Sequence, residues 1–395
     1  MKRDGYYFHF KGKNAETFVH ELAQKSFLTD WCYLNPKLPD GKELCDLLVV
    51  YDNIAIIWQI KSLKLRVDGK YKKQDVGKNI RQILGANRSL FGIKIPVDLE
   101  NPRRGKEKFN PSQITETYLI STLIGEDEDY STFVEKADGH VIHVFTRDFV
   151  QIVLNELDTI KDFIGYLREK ENLLFRDNKI TLIGGEKELL AYYLLNERSF
   201  KELKKSDHLV IDEGSWVHLQ RKTEYKAKKK ADEISYGWDE IINRAHTGGD
   251  QYEKVARELA RTSRFERRIL SKTFYEAHVL AHNTVTVPIF RRMMPFIGVT
   301  YCFLFFDDPE PREIRKAMLG NMCFVARGLY RKNKLVVGIA TEMRLAPSCS
   351  YDFLLLEIPK WTEELQKKME EVQKEARIFL NPKEKKVHED EYPKD

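Results

Sequence analysis

Leu44-Cys45-Asp46-Leu47-Leu48-Val49-Val50-Tyr51 and Ile54-Ala55-Ile56-Ile57-Trp58-Gln59-Ile60-Lys61 are two apolar runs separated only by Asp52-Asn53. Each is short, rich in β-branched and aromatic residues and apolar on both faces, the pattern of a central strand. Asp-Asn tolerates the positive φ that a tight two-residue turn demands, so the runs read as an antiparallel hairpin. Pairing Tyr51 with Ile54 fixes the register and places Asp46 opposite Gln59 on one face of the sheet. Lys61, two residues beyond Gln59, shares that face as a diagonal neighbour of Asp46. A carboxylate, an amide and an ammonium buried together are costly unless they pair with one another or hold a metal.

A carboxylate and an amide oxygen are hard ligands of the kind Mg²⁺ prefers, with waters and a substrate phosphate completing the octahedron. A lysine beside them can stabilise charge developing on phosphorus or help deprotonate a water nucleophile. Upstream, Asn14 to Ser26 reads as a helix with Ala15, Phe18, Val19, Leu22 and Ser26 on one stripe. At about 100° per residue, Glu16 projects at the edge of that buried stripe while Glu21 projects away from it, so Glu16 is the contributor to an inner site.

These residues, helical Glu16, then Asp46 at one strand, then Gln59-Ile60-Lys61 on the next, resemble the PD-(D/E)XK, or restriction-endonuclease-like, nuclease superfamily. The resemblance covers roughly the first third of the chain. It implies an α/β fold with a mixed-sheet nuclease domain, in which Asp46, Gln59 and Glu16 hold Mg²⁺, or Mn²⁺ in its place. Lys61 would assist hydrolysis of a nucleic-acid phosphodiester, DNA being favoured over RNA by the resemblance alone. Cys45 stands where the motif's proline would be, and Gln59 replaces the acid, as in a Gln-containing subgroup. The loss of one negative charge points to weaker metal affinity or a single metal. Many relatives of this fold serve restriction or antiviral defence, which extends the expectation to a prokaryotic defence role. Two alternatives stand beside it. One is a satisfied Asp–Lys ion pair in an ordinary α/β core; the other is a catalytically weak or inactive nuclease-fold module that binds nucleic acid or assembles with partners.

After Lys61, bases accumulate: Lys64, Arg66, Lys70, Lys72, Lys73, Lys78, Arg81 and Arg88 meet only Asp68 and Asp75. Within this run Asp75 to Phe91 reads as an amphipathic helix, with Val76, Ile80, Ile83, Leu84, Asn87 and Leu90 inward and Lys78, Arg81, Gln82 and Arg88 outward. Such a surface attracts phosphate backbones through counterion release, so Lys64, Lys78, Arg81, Gln82 and Arg88 are the candidate nucleic-acid contacts. The competing reading is a merely solvated helix face. The bases of Asn101 to Lys106 read as a loop that faces the substrate.

At 395 residues the chain calls for about two or three domains. Its formal charge of +5 is small for that length, so partners are inferred from local patches rather than from the total. Five cysteines without a CxxC pair argue for a reducing compartment and against disulfides or structural zinc. With no secretory signal pattern at Met1-Lys2-Arg3-Asp4 and no apolar run of spanning length, the expected location is cytoplasmic, with no membrane partner.

The nuclease-like domain is expected over 1–175, with strands at 115–124 and 140–145 extending its sheet and a single helix from Arg147 to about Glu171. A helical connector fills 176–235, and its lysine-rich stretch at 221–232 reads as a linker or part of a small helical subdomain. A second α/β domain of unknown role, through which the chain would form a homo-oligomer or meet a partner protein, covers 236–380. Its strands are expected at 296–306, 322–330, 335–340 and 351–358, and a charged helix at 361–379. A charged exposed tail ends the chain at 381–395. Tyr6 to Phe10 reads as an N-terminal strand giving aromatics to the core. His278 and His282 have zinc-compatible spacing but lack the glutamate of a metalloprotease helix, so they read as core or surface histidines.

Overall fold

The computed structural model describes residues 3–64, 66–92, 95–125, 133–174, 179–203, 208–284, 288–307, 311–344 and 349–394. The chain divides into two compact units, Met1–Tyr225 and Lys226–Asp395. Both are α/β with mixed sheets.

The hairpin lies inside the first unit. A six-stranded sheet runs in the order β1 (Cys32–Leu34), β2 (Leu47–Tyr51), β3 (Ile54–Ser62), β6 (Glu116–Ile124), β8 (His140–Thr146), β7 (Val134–Ala137). β2 is antiparallel to β1 and β3, whereas β3, β6 and β8 run parallel and β7 closes the edge antiparallel. Tyr51 pairs with Ile54 and Leu47 with Trp58, the register that the two-residue turn dictates. Asp52 adopts the left-handed conformation (φ 52°) that this turn requires. A two-stranded excursion, β4 (Val97–Asn101) and β5 (Gly105–Phe109), separates α2 (Lys73–Gly92) from β6.

Alternation along β3 sends its side chains to two cores. Ala55 and Ile57 join Ile83, Leu84 and Leu90 of α2. On the opposite face Trp58 stacks on Phe163 of α4 (Ile160–Leu174) at 5.9 Å, and Phe27 of α1 (Arg3–Phe27) lies 5.1 Å from the same ring. α1 begins well upstream of Asn14 and includes Tyr6 to Phe10, so the expected N-terminal strand is helix. The expected long helix after Arg147 is two: α3 (Arg147–Glu156) ends at Leu157, and the Thr159 hydroxyl accepts the Asp162 N–H to start α4. That is a threonine N-cap, which makes a helix break cheap.

The boundary expected at residue 175 falls inside this unit. β9 (Lys179–Leu182), α5 (Glu186–Leu195), β10 (His208–Ile211) and α6 (Ser215–Arg221) all belong to it, and Lys170 of α4 pairs with Glu186 of α5 at 2.6 Å. Of the two readings of the lysine-rich stretch, linker or small helical subdomain, the structure has helix: it forms α7 (Thr223–Asp232).

In the second unit α8 (Tyr236–Thr247), α9 (Glu253–Ala260) and α10 (Arg264–Asn283) precede a sheet ordered β11 (Ile289–Pro295), β12 (Val299–Phe306), β13 (Leu335–Glu342), β14 (Tyr351–Glu357). α11 (Arg312–Leu329) crosses between parallel β12 and β13, and α12 (Glu363–Glu375) follows β14. The strand expected at Met322–Tyr330 is the second half of α11 together with its C-cap. Met322, Cys323 and Ala326 pack there against Val336 and Ala340. Gly338 permits the approach, since a Cβ there would sit 2.6 Å from Cys323 Sγ. The other face carries Trp238 and Phe274 against Phe303. The terminal segment is largely exposed, yet it is held along α10: Lys385 pairs with Glu276 at 2.8 Å, Lys272 pairs with Glu389, and Arg268 donates to the Glu391 carbonyl at 3.2 Å. All five cysteines are buried free thiols. Among the described residues no helix is long and apolar enough to cross a membrane.

Candidate active site

Asp46 sits in the bend where the chain enters β2, one residue before the ladder begins. Its carboxylate reaches across to β3, where Gln59 Nε2 donates to Oδ2 at 2.7 Å and the Ile60 backbone N–H donates to the same oxygen. The register therefore delivers the Asp46–Gln59 contact that the hairpin implied. Lys61 is half-buried near the end of β3, and its side chain makes neither a hydrogen bond nor an ion pair among the described residues. The satisfied Asp46–Lys61 ion pair of the alternative reading is not formed.

Asp46 is only 6 % exposed. Burial pushes its carboxyl up to about 7; the Ile60 N–H pulls the other way, and the nearby Glu16 and Glu43 carboxylates push it further up. Glu16, half-buried on α1, is thus brought within electrostatic reach of Asp46, as its helical phase suggested. Glu43 is an addition. Its side chain is hydrogen-bonded to that of Asp46, although in an ideal strand residues three apart face opposite ways. The ladder stops at Leu47, and residues 44–46 are irregular, so strand parity fails there. The signal available in the sequence was an acid within one turn's length of Asp46.

Two further polar residues line the same face. Gln59 is level with Ser121 of β6, and Ser121 Oγ accepts from Asn79 Nδ2 of α2 at 2.7 Å. Asn79 and Ser121 are fully buried, and Asn79 Oδ1 has no partner among the described residues. Asp46, Gln59, Ser121 and Asn79 thus form a polar seam through an otherwise apolar face. Buried polar groups of this kind cost about 1–3 kcal/mol each when left unpaired, so the seam is not a by-product of packing.

The basic residues behave less uniformly. Lys64, Lys78, Arg81 and Gln82 are exposed, the last three on the outward face of α2. Arg88 is exposed but paired with Asp138 at 3.1 Å. The expected basic loop at 101–106 is the tight turn of the β4–β5 hairpin, where Arg104 is bound to Glu107 at 2.7 Å and lies over the Trp31 ring.

The donors on offer to a cation are carboxylate and amide oxygens, which suit Mg²⁺ or Mn²⁺ and not zinc. Among the described residues no three His, Cys, Asp or Glu side chains stand close enough together to hold an ion. The fit is therefore to a sparse site of one or two carboxylates, in which water and substrate oxygens complete the shell, the usual manner of Mg²⁺. No family model, curated protein or solved structure matches the chain.

Proposed function

We propose that the first unit is a restriction-endonuclease-like, divalent-metal-dependent nuclease that hydrolyses nucleic-acid phosphodiesters, with DNA as the favoured substrate and defence as the setting. The observation that carries this reading is a buried Asp46–Gln59 contact that no described Lys or Arg joins, with Lys61 on the same strand face. Mg²⁺ or Mn²⁺ would be held by Asp46 and Gln59 with Glu16 alongside, and when bound it supplies Lewis-acid polarisation of the phosphoryl group. Asp46 would contribute a carboxylate oxygen to the ion, which in turn would favour its ionised form. Its orientation is set by the Ile60 N–H, so little reorganisation is left for the moment of reaction. Lys61 would present an ammonium where charge accumulates on phosphorus, and with no ion-pair partner among the described residues it gives up none of theirs to do so. Lys64, Lys78, Arg81 and Gln82 hold the phosphate backbone, a sequence-independent role.

A second reading, a nuclease-fold module that binds without cutting, draws support from Gln59 in place of an acid and from the sparse donor set. Cleavage of circular DNA, linear DNA and RNA by wild type, Asp46→Asn and Lys61→Ala, with Mg²⁺, Mn²⁺ or chelator, separates the two. The nuclease reading expects metal-dependent cutting that falls at least about 100-fold in either variant. Salt-sensitive binding with no cutting by folded wild type would favour the module.

A further inference from the structure

β11 (Ile289–Pro295) is an outer strand of the second unit's sheet, and β12 is its one hydrogen-bonded neighbour among the described residues. The main-chain groups on its other side are the kind of edge along which a further strand can pair. Its first six residues are half-buried, Pro295 is exposed, and none of the seven is fully buried. At about 3.3 Å per residue, an edge of this length runs for roughly 23 Å.

Arg291 and Arg292 stand in the middle of this strand and, being consecutive, lie on opposite faces of the sheet. Arg291 is level with Leu304, on the α11 face where Ile289 and Met293 pack. Arg292 is level with Phe303, whose ring meets Phe274 of α10. Neither guanidinium makes a hydrogen bond or an ion pair among the described residues. Burial without a counterion pushes Arg291 below its ordinary value. Other arginines of the unit are closed by carboxylates: Arg264 and Arg267 share Asp239, Arg268 meets Asp232, and Arg312 and Arg315 share Asp352. A charge that only guards an edge against aggregation stays in water, and Arg291 is half-buried instead.

The two arginines select the occupant. β11 of a second copy, paired antiparallel, would bring the arginines of both copies together, and like charges across a ladder destabilise it. A nucleic-acid backbone follows one surface, whereas these guanidiniums belong to two faces of a sheet. An extended segment with two adjacent acidic residues puts one carboxylate on each face, because consecutive strand residues alternate. It meets both arginines while its main chain pairs with the edge, and apolar residues to either side of the acids lie beside Phe290 and Met293. We propose that β11 receives an acidic, extended segment of a partner protein as a fifth strand of the sheet.

The test is fluorescence anisotropy of labelled peptides titrated with the full chain. The probe is a short peptide of alternating valine and threonine with two central glutamates. One control peptide carries two lysines in place of the glutamates, and another keeps the glutamates but has proline at the flanking positions, which removes main-chain donors and leaves the charge. The protein variant is Arg291→Glu with Arg292→Glu, its folding checked by circular dichroism. The expected result is saturable binding of the glutamate peptide by wild type, weaker by about tenfold or more for either control peptide and for the double variant. The double variant should in turn prefer the lysine peptide. The absence of saturable binding, or equal binding of the glutamate and proline peptides, would overturn the proposal even if the double variant failed to fold. Equal binding by wild type and a folded double variant would overturn it too. Displacement of the peptide by a DNA oligonucleotide would assign the edge to nucleic acid instead, and self-association of wild type that the double variant loses would assign it to a second copy.

Discussion

Buried carboxylates occur in both units, and they are treated in opposite ways. In the second, Glu342 and Asp352 are 3 % and 1 % exposed, and Arg315 of α11 reaches both, at 2.9 and 2.7 Å. Burial alone would push Glu342 up, but hydrogen bonds from Ser350 and the Arg315 charge hold it below the ordinary carboxylate range. In the first unit Asp46 is comparably buried and, among the described residues, receives an amide and a backbone N–H but no cation, while two further carboxylates crowd it. A closed set of charges stabilises a unique arrangement, whereas an open one holds electrostatic work in reserve for something that arrives from outside.

The largest effect that could break this comparison concerns the closed set. Arg315→Ala leaves buried Glu342 without its cation and Asp352 with Arg312 alone, and should destabilise the protein by about 3–5 kcal/mol in denaturant unfolding. A loss below about 1 kcal/mol would mean that Arg315 is not what closes the network. The open set should respond with the opposite sign. A carboxyl raised from 3.8 to about 7 binds its proton more tightly folded than unfolded, so its contribution to stability declines as pH rises between those two values. Asp46→Asn should therefore stabilise the protein at pH 8 by about 2 kcal/mol or more, and by little at pH 4. Destabilisation at pH 8 would show that Asp46 is a structural anchor.

Much of this contrast could be read from the chain before its structure. A two-residue turn permits one register, so the ladder from Tyr51–Ile54 to Leu47–Trp58 followed from the turn, and it ends where the Asp46 side chain meets Gln59. Helical phase likewise assigned Glu16 to the Asp46 side of α1. Glu43 was hidden because the ladder ends before it, and Asn79 because one polar residue on a helix does not announce a buried partner on β6. Met322–Tyr330 misled for a different reason: a short apolar run looks the same in a buried strand and in a helix covered on one face. β11 was missed because Arg291 and Arg292 interrupt an edge strand whose residues are at most half-buried. The closed set of Arg315, Glu342 and Asp352 joins residues from three elements and had no local signature at all.

The smallest expected effects lie on the surface. Lys78→Ala with Arg81→Ala should weaken nucleic-acid binding without sequence preference and lower the slope of log affinity against log salt by about two. Arg88→Ala should change it less, because Asp138 already occupies that guanidinium. Equal slopes in all three proteins would remove α2 from the interface.

The central claim, that the open carboxylate of Asp46 is completed by a divalent cation, is tested most directly by thermal unfolding at pH 8 with and without Mg²⁺ or Mn²⁺. The account predicts a melting temperature that rises with metal in wild type, by about 2–3 kcal/mol of added stability near 100-fold excess over the dissociation constant, and does not rise in Asp46→Asn. A wild-type melting temperature indifferent to either ion, or an equal rise in both proteins, would contradict it.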